Sequence, residues 1–261
     1  MSLTVAFHAD LWRVSLAGAD WDAERVHIER STNGLVWHTV RGGRRRPVEG
    51  GSWSIDDFEY AAGVPNHYRV TDVDDAAEQE QATITPAHDR IVLKHIEYPA
   101  LNRPITVVDW TTPTRAGRTS LHEVRDRPDP ISVSGAMASP AFELVLMTET
   151  AEQARDLELA LAVGGVLLAQ GPAGCKVPTG YVVALGVEGP QRATRSGRGG
   201  RHYWTVSCRR TSAPDADVQT ALLTWHTLAT VYGSWEQVWA AHPSWLDLWQ
   251  TVVDPSEVVP I

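Results

Sequence analysis

Residues 26–40, VHIERSTNGLVWHTV, contain the pattern that decides the fold of the N-terminal part of this chain. Val26 and Ile28 alternate with polar residues, as in a strand that buries one face. Asn33-Gly34 then supplies a turn, because both residue types tolerate positive φ. Strand-like residues resume at Val36. We therefore predict two short antiparallel strands joined by a tight turn.

The same alternation extends outward from this hairpin on both sides. Trp12, Val14 and Leu16 alternate with polar residues before it, and another strand pattern begins at Tyr68 after it. Turn signals separate these patterns at intervals of about 8–12 residues, which is typical of an antiparallel β-sandwich. We therefore predict that residues 1–86 form one β-sandwich domain.

Three segments of this domain carry a likeness to a known module: IERSTNGLVW at 28–37, DFEY at 57–60 and VPNHYRV at 64–70. Together they resemble a fibronectin type III module. The resemblance implies that Trp37 fills the space between two sheets and that Tyr68 occupies the position of a corner tyrosine. This fold serves adhesion, spacing and assembly alike, so it does not specify a function.

Residues 90–213 combine strand patterns with a single helix. Thr150 and Gln153 form a capping box, which marks the start of a helix, and Gly164-Gly165 marks its end. We predict a β-sandwich or barrel with one helix lying across it, so the chain as a whole is expected to be mainly all-β. The strand-like segments are residues 105–110, 141–147, 180–187 and 202–208.

Residues 219–261 differ from the rest, because a repeat with a period of ten appears there. Ser or Thr directly precedes Trp in each of three units, and such a residue can cap a helix N-terminus. Tryptophans four residues apart share a helix face. We expect three short helices, which are unstable in water unless their apolar faces are covered. The tryptophans are Trp225, Trp235, Trp239, Trp245 and Trp249.

Two interpretations of these five tryptophans are open. They either cover the β domains of their own chain or are buried against another subunit. Each could bury roughly 150–250 Å². We slightly favour the second interpretation, so these five residues are the predicted subunit-interface residues.

Composition and charge weigh against several classes of function. The 261 residues carry a net charge of −9, which disfavours nucleic acid as a partner because phosphate neutralisation needs a basic surface. The longest apolar stretch, residues 159–169, is about half the length that crosses a bilayer, so no membrane partner is expected.

Cys175 and Cys208 lack CxxC spacing, which argues against zinc. Two free thiols are favoured over a disulfide, but the sequence leaves their pairing open.

No motif for catalysis, a cofactor or a metal is recognisable in the sequence. A phosphate-binding loop, a nucleophile elbow and a zinc-protease motif are all lacking in a suitable context, and the ten histidines are scattered. Asp56, Asp57 and Glu59 could imitate a catalytic carboxylate pair, but we expect them at an exposed strand end. We therefore predict a non-enzymatic protein with no catalytic residues, cofactor or metal.

Two charged stretches have both a functional and a structural interpretation. The acidic residues within 72–80 could bind calcium, but they lack the Gly and the distant Glu of a calcium loop, so a solvated turn is favoured. Residues 191–210 contain six Arg and no acid. They could contact a nucleic acid or an acidic neighbouring subunit, although a long exposed hairpin is favoured.

Over nearly its whole length the chain resembles minor tail proteins of tailed phages that infect actinobacteria. In such proteins a fibronectin-like module is followed by a domain similar to distal tail proteins and then by a Trp-containing repeat. Each motif is weak alone, and their order and spacing carry the resemblance. The matching segments are residues 92–95, 99–103, 142–146, 178–182, 201–204 and 254–258.

The resemblance implies a structural role in the virion, in a protein made in the host bacterial cytoplasm. It implies a homo-oligomeric ring, a hexamer with a trimer as the alternative, at the distal end of the tail tube. The implied neighbours are the tube, the tape measure protein, the tail-tip hub and the receptor-binding proteins. Distal tail proteins commonly place the ring-forming domain first, whereas here the fibronectin-like unit comes first, so which domain forms the ring stays open.

Two other functions are alternatives. In one, the chain is a carbohydrate-binding adhesion module of the tail, in which Trp21 or Trp53 stacks on sugars of the host cell wall. In the other, it degrades the wall, which would require two carboxylates that face a cleft. The structural role is favoured over both.

Overall fold

The computed structural model describes residues 1–75, 77, 79–125, 128–192, 200–215, 232 and 234–242. Nearly half of these residues lie in antiparallel strands, and the sheets comprise a sandwich followed by a closed barrel. The predicted mainly all-β class is therefore confirmed. No helix within the described ranges is long and apolar enough to span a membrane.

The described residues up to 84 form a sandwich of two antiparallel sheets. One sheet has the order β1-β2-β6, and the other has the order β4-β3-β7-β8 with β5 paired to β3. The strands are β1 (Ser2–His8), β2 (Arg13–Ala19), β3 (Arg25–Ser31), β4 (His38–Thr39), β5 (Arg46–Pro47), β6 (Trp53–Asp57), β7 (Asn66–Asp72) and β8 (Gln79–Ile84).

The core of the sandwich contains two tryptophans, and neither is the one that the sequence indicated. Trp21 and Trp53 are buried and pack edge to face, with ring centroids 6.1 Å apart. Trp37 is only half-buried, and the guanidinium of Arg69 lies 4.2 Å from its ring centroid. The prediction for Trp37 was wrong because β4 has only two residues and begins after it, so no pleat directs the indole inward.

Asp57 lies at the buried end of β6, which corrects the expectation of an exposed carboxylate group. Its side chain accepts hydrogen bonds from Arg30 Nη1 at 2.6 Å, from the Tyr68 hydroxyl at 2.8 Å and from the Glu59 amide at 2.8 Å. Burial and the neighbouring Asp57 charge raise the pKa of Tyr68 well above its ordinary value. Asp57 is therefore a structural anchor between the two sheets.

The described residues from 91 to 210 form a closed barrel with the strand order β10-β13-β16-β15-β14-β9. A separate two-stranded sheet, β11-β12, is inserted between β10 and β13. The elements are β9 (Ile91–His95), a 3-10 helix (Pro99–Leu101), β10 (Arg103–Trp110), β11 (Thr119–His122), β12 (Ile131–Ser134), β13 (Ala141–Thr148), α1 (Ala151–Ala162), β14 (Val166–Gln170), β15 (Gly180–Arg192) and β16 (His202–Arg210).

Helix α1 packs against the barrel core, as predicted. The hydroxyl oxygen of Thr150 accepts a hydrogen bond from the Gln153 amide at 3.1 Å, and Gly164 follows the helix with a φ of 74°. Leu157 and Leu161 of this helix join the buried cluster of the barrel. The helix therefore begins and ends where the cap signals place it.

The thiols of Cys175 and Cys208 are free.

Lys94 of β9 connects the barrel to the sandwich. Its side chain is 1% exposed, and its amine donates hydrogen bonds to the carbonyl oxygens of Trp12 at 2.9 Å and Phe58 at 2.7 Å. The amine also lies 4.0 Å from the centroid of the Tyr60 ring. Burial lowers the pKa of Lys94 to about 7, and in the neutral form the two N–H donors of the amine match these two carbonyl groups.

Further hydrogen bonds tie the sandwich to the barrel and to the segments next to the barrel. Gln170 Nε2 of β14 donates to the Tyr60 carbonyl group, and the Gly63 amide donates at 2.7 Å to the carbonyl group of Pro86, between β8 and β9. Arg41, which pairs with Glu59 at 2.8 Å, donates to the Asp215 carbonyl oxygen at 2.6 Å. The segment that leaves the barrel is thus held against the sandwich.

We expect Tyr68→Phe to lower the free energy of unfolding by roughly 1.5–3 kcal/mol, because the hydroxyl donates to a buried carboxylate. Chemical denaturation followed by tryptophan fluorescence measures the loss. Tyr203→Phe, a change of a half-buried tyrosine on the barrel, is the control and should shift stability by no more than about 0.5 kcal/mol. Equal losses in the two variants would contradict the anchoring role of Tyr68.

We expect Lys94→Met to change the pH dependence of stability. Burial lowers the pKa of Lys94 from 10.5 to about 7, so between these values the unfolded chain binds a proton that the folded chain does not. Stability therefore rises with pH in this window. Relative to the variant, the free energy of unfolding of the wild type should rise by up to about 1.4 kcal/mol per pH unit.

Urea denaturation near neutral pH and again about two units higher tests this expectation. Lys176→Met, which changes the other lysine of the chain at an exposed position, should follow the pH dependence of the wild type. The same pH dependence in Lys94→Met and the wild type would show that the buried amine keeps its ordinary pKa.

Candidate subunit interface

Residues 111–140 connect β10 to β13 of the barrel, and we call this segment the arm; most of its described residues are exposed. The arm begins beside the barrel wall, where the amides of Thr114 and Ala141 each donate to the carbonyl group of the other at 2.9 and 2.8 Å. Farther out, β11 and β12 pair from Thr119 with Ser134 to His122 with Ile131. All eight residues of these two strands are exposed, so the arm is a ribbon that extends from the barrel.

The arm carries large apolar side chains that are exposed in the described part of the chain. Leu121 is 65% exposed and Val133 is 58% exposed, and Val124, Ile131 and Met137 are exposed as well. A lone two-stranded ribbon is at best marginally stable in water. Apolar surface of this kind marks sites of interaction with another molecule. The arm therefore needs a covering surface that the described part of the chain does not supply.

The apolar character of the arm continues into the barrel strand from which it leaves. Val108 and Trp110 at the end of β10 are exposed, and the register of β10 against β13 shifts between Val107 and Asp109. Such a bulge re-aims the side chains next to it. The exposed apolar surface thus begins on the barrel wall and continues along the arm.

The charge of the arm differs in sign from that of the rest of the chain. Residues 111–140 contain four Arg and three acidic residues, a net charge of +1, whereas the whole chain carries −9. The remaining residues therefore carry −10. Opposite charges steer two surfaces together and help to fix their orientation. The arm is suited to an acidic partner surface.

Two of the five tryptophans predicted to lie in an interface belong to the described residues. Trp235 and Trp239 lie on α2 (Trp235–Ala241) and are 58% and 60% exposed. The hydroxyl oxygen of Ser234 accepts a hydrogen bond from the Gln237 amide at 3.4 Å, which is the predicted N-cap. Trp225, Trp245 and Trp249 lie outside the described residues.

The two tryptophans of the sugar-stacking alternative lie in the core of the sandwich. The alternative in which Trp21 or Trp53 stacks on a sugar is wrong for these residues, because both are buried in the sandwich core. Within the described ranges, no group of three or more His, Cys, Asp or Glu residues is placed to hold a metal ion. β15 and β16 do form the predicted hairpin, and residues 193–199 of its tip are outside the described part.

The sequence analysis missed the arm, although a weak signal was present. The segments TSLH and ISVS that form β11 and β12 are four residues long, and Pro, Gly and Arg residues surround them. Such a composition is typical of a loop. The weak signal consists of the apolar residues Leu121, Ile131 and Val133, which are the kind of side chain that an interaction surface presents.

No protein-family model matches this chain, and neither does any curated protein. The exposed arm, its charge and the exposed face of α2 are therefore the features from which a function has to be inferred.

Proposed function

We propose that this chain is a structural component of a bacteriophage tail tip. In this proposal, copies of the chain form a ring that joins the tail tube to the receptor-binding apparatus of the virion. The arm is the observation that supports this assembly, because it presents apolar side chains on a ribbon that the described residues of its own chain do not cover. The resemblance to minor tail proteins is the reason for proposing that this assembly belongs to a phage tail.

A second copy of the chain is the partner that fits the arm best. The arm has 30 residues, and a stable interface uses about 20–30 residues on each side. Its net charge of +1 complements the −10 of the remaining residues of a neighbouring copy. Size and charge thus both favour self-association.

The arm also favours a ring over a symmetric dimer. An arm that docks on a different surface of the next copy makes a head-to-tail contact, and such contacts close into a ring when the rotation between copies allows it. The proposed ring is a hexamer, with a trimer as the alternative. The proposed neighbours are the tail tube, the tape measure protein, the tail-tip hub and the receptor-binding proteins.

The exposed tryptophans support a second contact in the same assembly. Trp235 and Trp239 are four residues apart, so their indoles share one face of α2. Aromatic side chains dominate the energetics of protein interfaces because each buries a large area. The proposed function depends on a fixed arrangement of tightly packed subunits, and the proposal includes no catalysis, cofactor or nucleic acid.

The double variant Leu121→Asp, Val133→Asp tests the proposal. We expect the wild type to form a defined oligomer, seen by light scattering after size-exclusion chromatography and as rings by electron microscopy. Burial of each side chain contributes about 1.5–3 kcal/mol, so each Asp should weaken association by roughly tenfold or more. The double variant should therefore be monomeric at concentrations at which the wild type is assembled.

Leu35→Asp, Val36→Asp is the matched control, because these two residues are exposed on a turn of the sandwich. It should assemble like the wild type, and circular dichroism should show that all three proteins are folded. A wild type that stays monomeric at high concentration would contradict the proposed function. If the arm variant assembles as well as the control, the arm is not part of the interface between copies.

A further inference from the structure

The second half of β15 is an open edge of the barrel sheet. Strand β14 pairs with β15 only as far as Val183, whereas β15 continues beside β16 to Arg192. All eight residues at positions 185–192 are exposed, and within the described ranges β16 is the only strand that pairs with them. One side of this stretch therefore presents backbone N–H and C=O groups to solvent.

Apolar side chains accompany this open edge. Leu185 is 60% exposed and Val187 is 41% exposed. Val163 at the end of α1 is 39% exposed and comes three residues before Val166, which pairs with Val183. Val163 therefore lies close to the point where the open edge begins. An exposed apolar strand edge is a template for pairing with another chain, so we expect a further strand to be added here.

The part of the edge that can accept a strand is four residues long. Pro190 has no N–H group and Gly189 has a φ of 139°, so regular pairing ends before them and residues 185–188 remain. Strands β11 and β12 of the arm also have four residues each, and in the described part of the chain they pair only with each other. The outer edge of the arm ribbon therefore matches the open edge in length.

The arm and the open edge lie on different parts of one barrel. In the strand order β10-β13-β16-β15 the arm joins the first two strands, so β16 separates it from β15. At the base of the arm Ala141 pairs with Arg209, whereas the open edge runs toward the other end of β16, where Arg192 pairs with His202. A contact between the arm of one copy and the edge of another is therefore head to tail, and such contacts can repeat around a ring.

The two surfaces carry net charges of opposite sign. Helix α1 contacts β15, and the charged residues that are exposed on α1 and at 185–192 are Glu152, Glu158 and Glu188 against Arg155 and Arg192, a net charge of −1. The described residues of the arm contain three Arg and two acidic residues, a net charge of +1, and all five are exposed. Complementary charge helps to orient two surfaces as they meet.

We infer that the arm of one copy docks on the open edge of β15 in the next copy. The ribbon of β11 and β12 continues the barrel sheet of the receiving copy by two strands, through backbone hydrogen bonds along residues 185–188. The apolar side chains of the arm pack against Leu185, Val187 and Val163. This docking surface rests on the proposed ring, and it names the part of the neighbouring copy that receives the arm.

The edge variant Leu185→Asp, Val187→Asp tests this contact together with the arm variant Leu121→Asp, Val133→Asp. Each variant loses one half of the contact, so each should be monomeric at a concentration at which the wild type is assembled, with association weakened about tenfold or more per side chain. An equal mixture should form a dimer and nothing larger, because the intact arm of one variant meets the intact edge of the other. Light scattering after size-exclusion chromatography measures both.

Hydrogen exchange on the full chain locates the docked ribbon and does not depend on the folding of the edge variant. The amides of residues 185–188 should exchange about tenfold more slowly in the assembled wild type than in the arm variant, because an added strand accepts hydrogen bonds from them. The turn at residues 32–36 of the sandwich should exchange equally in both proteins. Leu35→Asp, Val36→Asp again controls for two added carboxylates and should assemble like the wild type.

Three results would overturn this docking surface while the ring itself stands. The first is an edge variant that assembles as the wild type does. The second is a mixture of the two variants that stays monomeric at about ten times the concentration at which the wild type assembles. The third is exchange at residues 185–188 that is equal in the wild type and the arm variant. A wild type that stays monomeric would instead overturn the ring and the docking surface together.

Discussion

The buried amine of Lys94 is the contact on which the arrangement of this molecule depends. It comes from the barrel, and both of its hydrogen-bond acceptors belong to the sandwich, 82 and 36 residues earlier in the chain. Removing a charge from water costs several kcal/mol, and this burial lowers the pKa of Lys94 to about 7. The amine links the two domains through these two hydrogen bonds.

Other features of the structure follow from this junction. Trp12, whose carbonyl oxygen accepts from Lys94, has a φ of 48° and lies between β1 and β2, so the same contact holds this connection in place. Arg41 holds the segment that leaves the barrel against the sandwich, through the carbonyl oxygen of Asp215. A closed ring requires that the sandwich and the barrel of each copy keep the same relative orientation, because deviations in the angle between domains add up around the ring.

The parts of the fold that could be predicted from the sequence are those with a local cause. Alternation at Val14 and Leu16 predicts a strand because one face of each sheet is buried. Thr150 and Gly164 predict the ends of α1 because capping involves neighbouring residues only. The parts that could not be predicted depend on distant residues. Nothing near Lys94 shows that its acceptors lie on another domain, and nothing near Trp37 shows that Trp21 and Trp53 fill the sandwich core.

The position of the arm bears on which domain would form the proposed ring. The sandwich comes first in this chain, whereas the distal tail proteins of the proposed family commonly have the ring-forming domain in that place. The arm, however, leaves from β10 and returns to β13, so the apolar surface that needs a partner belongs to the barrel. The described sandwich has Leu35 and Val36 exposed on a turn and no comparable ribbon. In the proposed assembly the barrel of each copy therefore supplies the arm that contacts the next copy, whichever domain comes first in the chain.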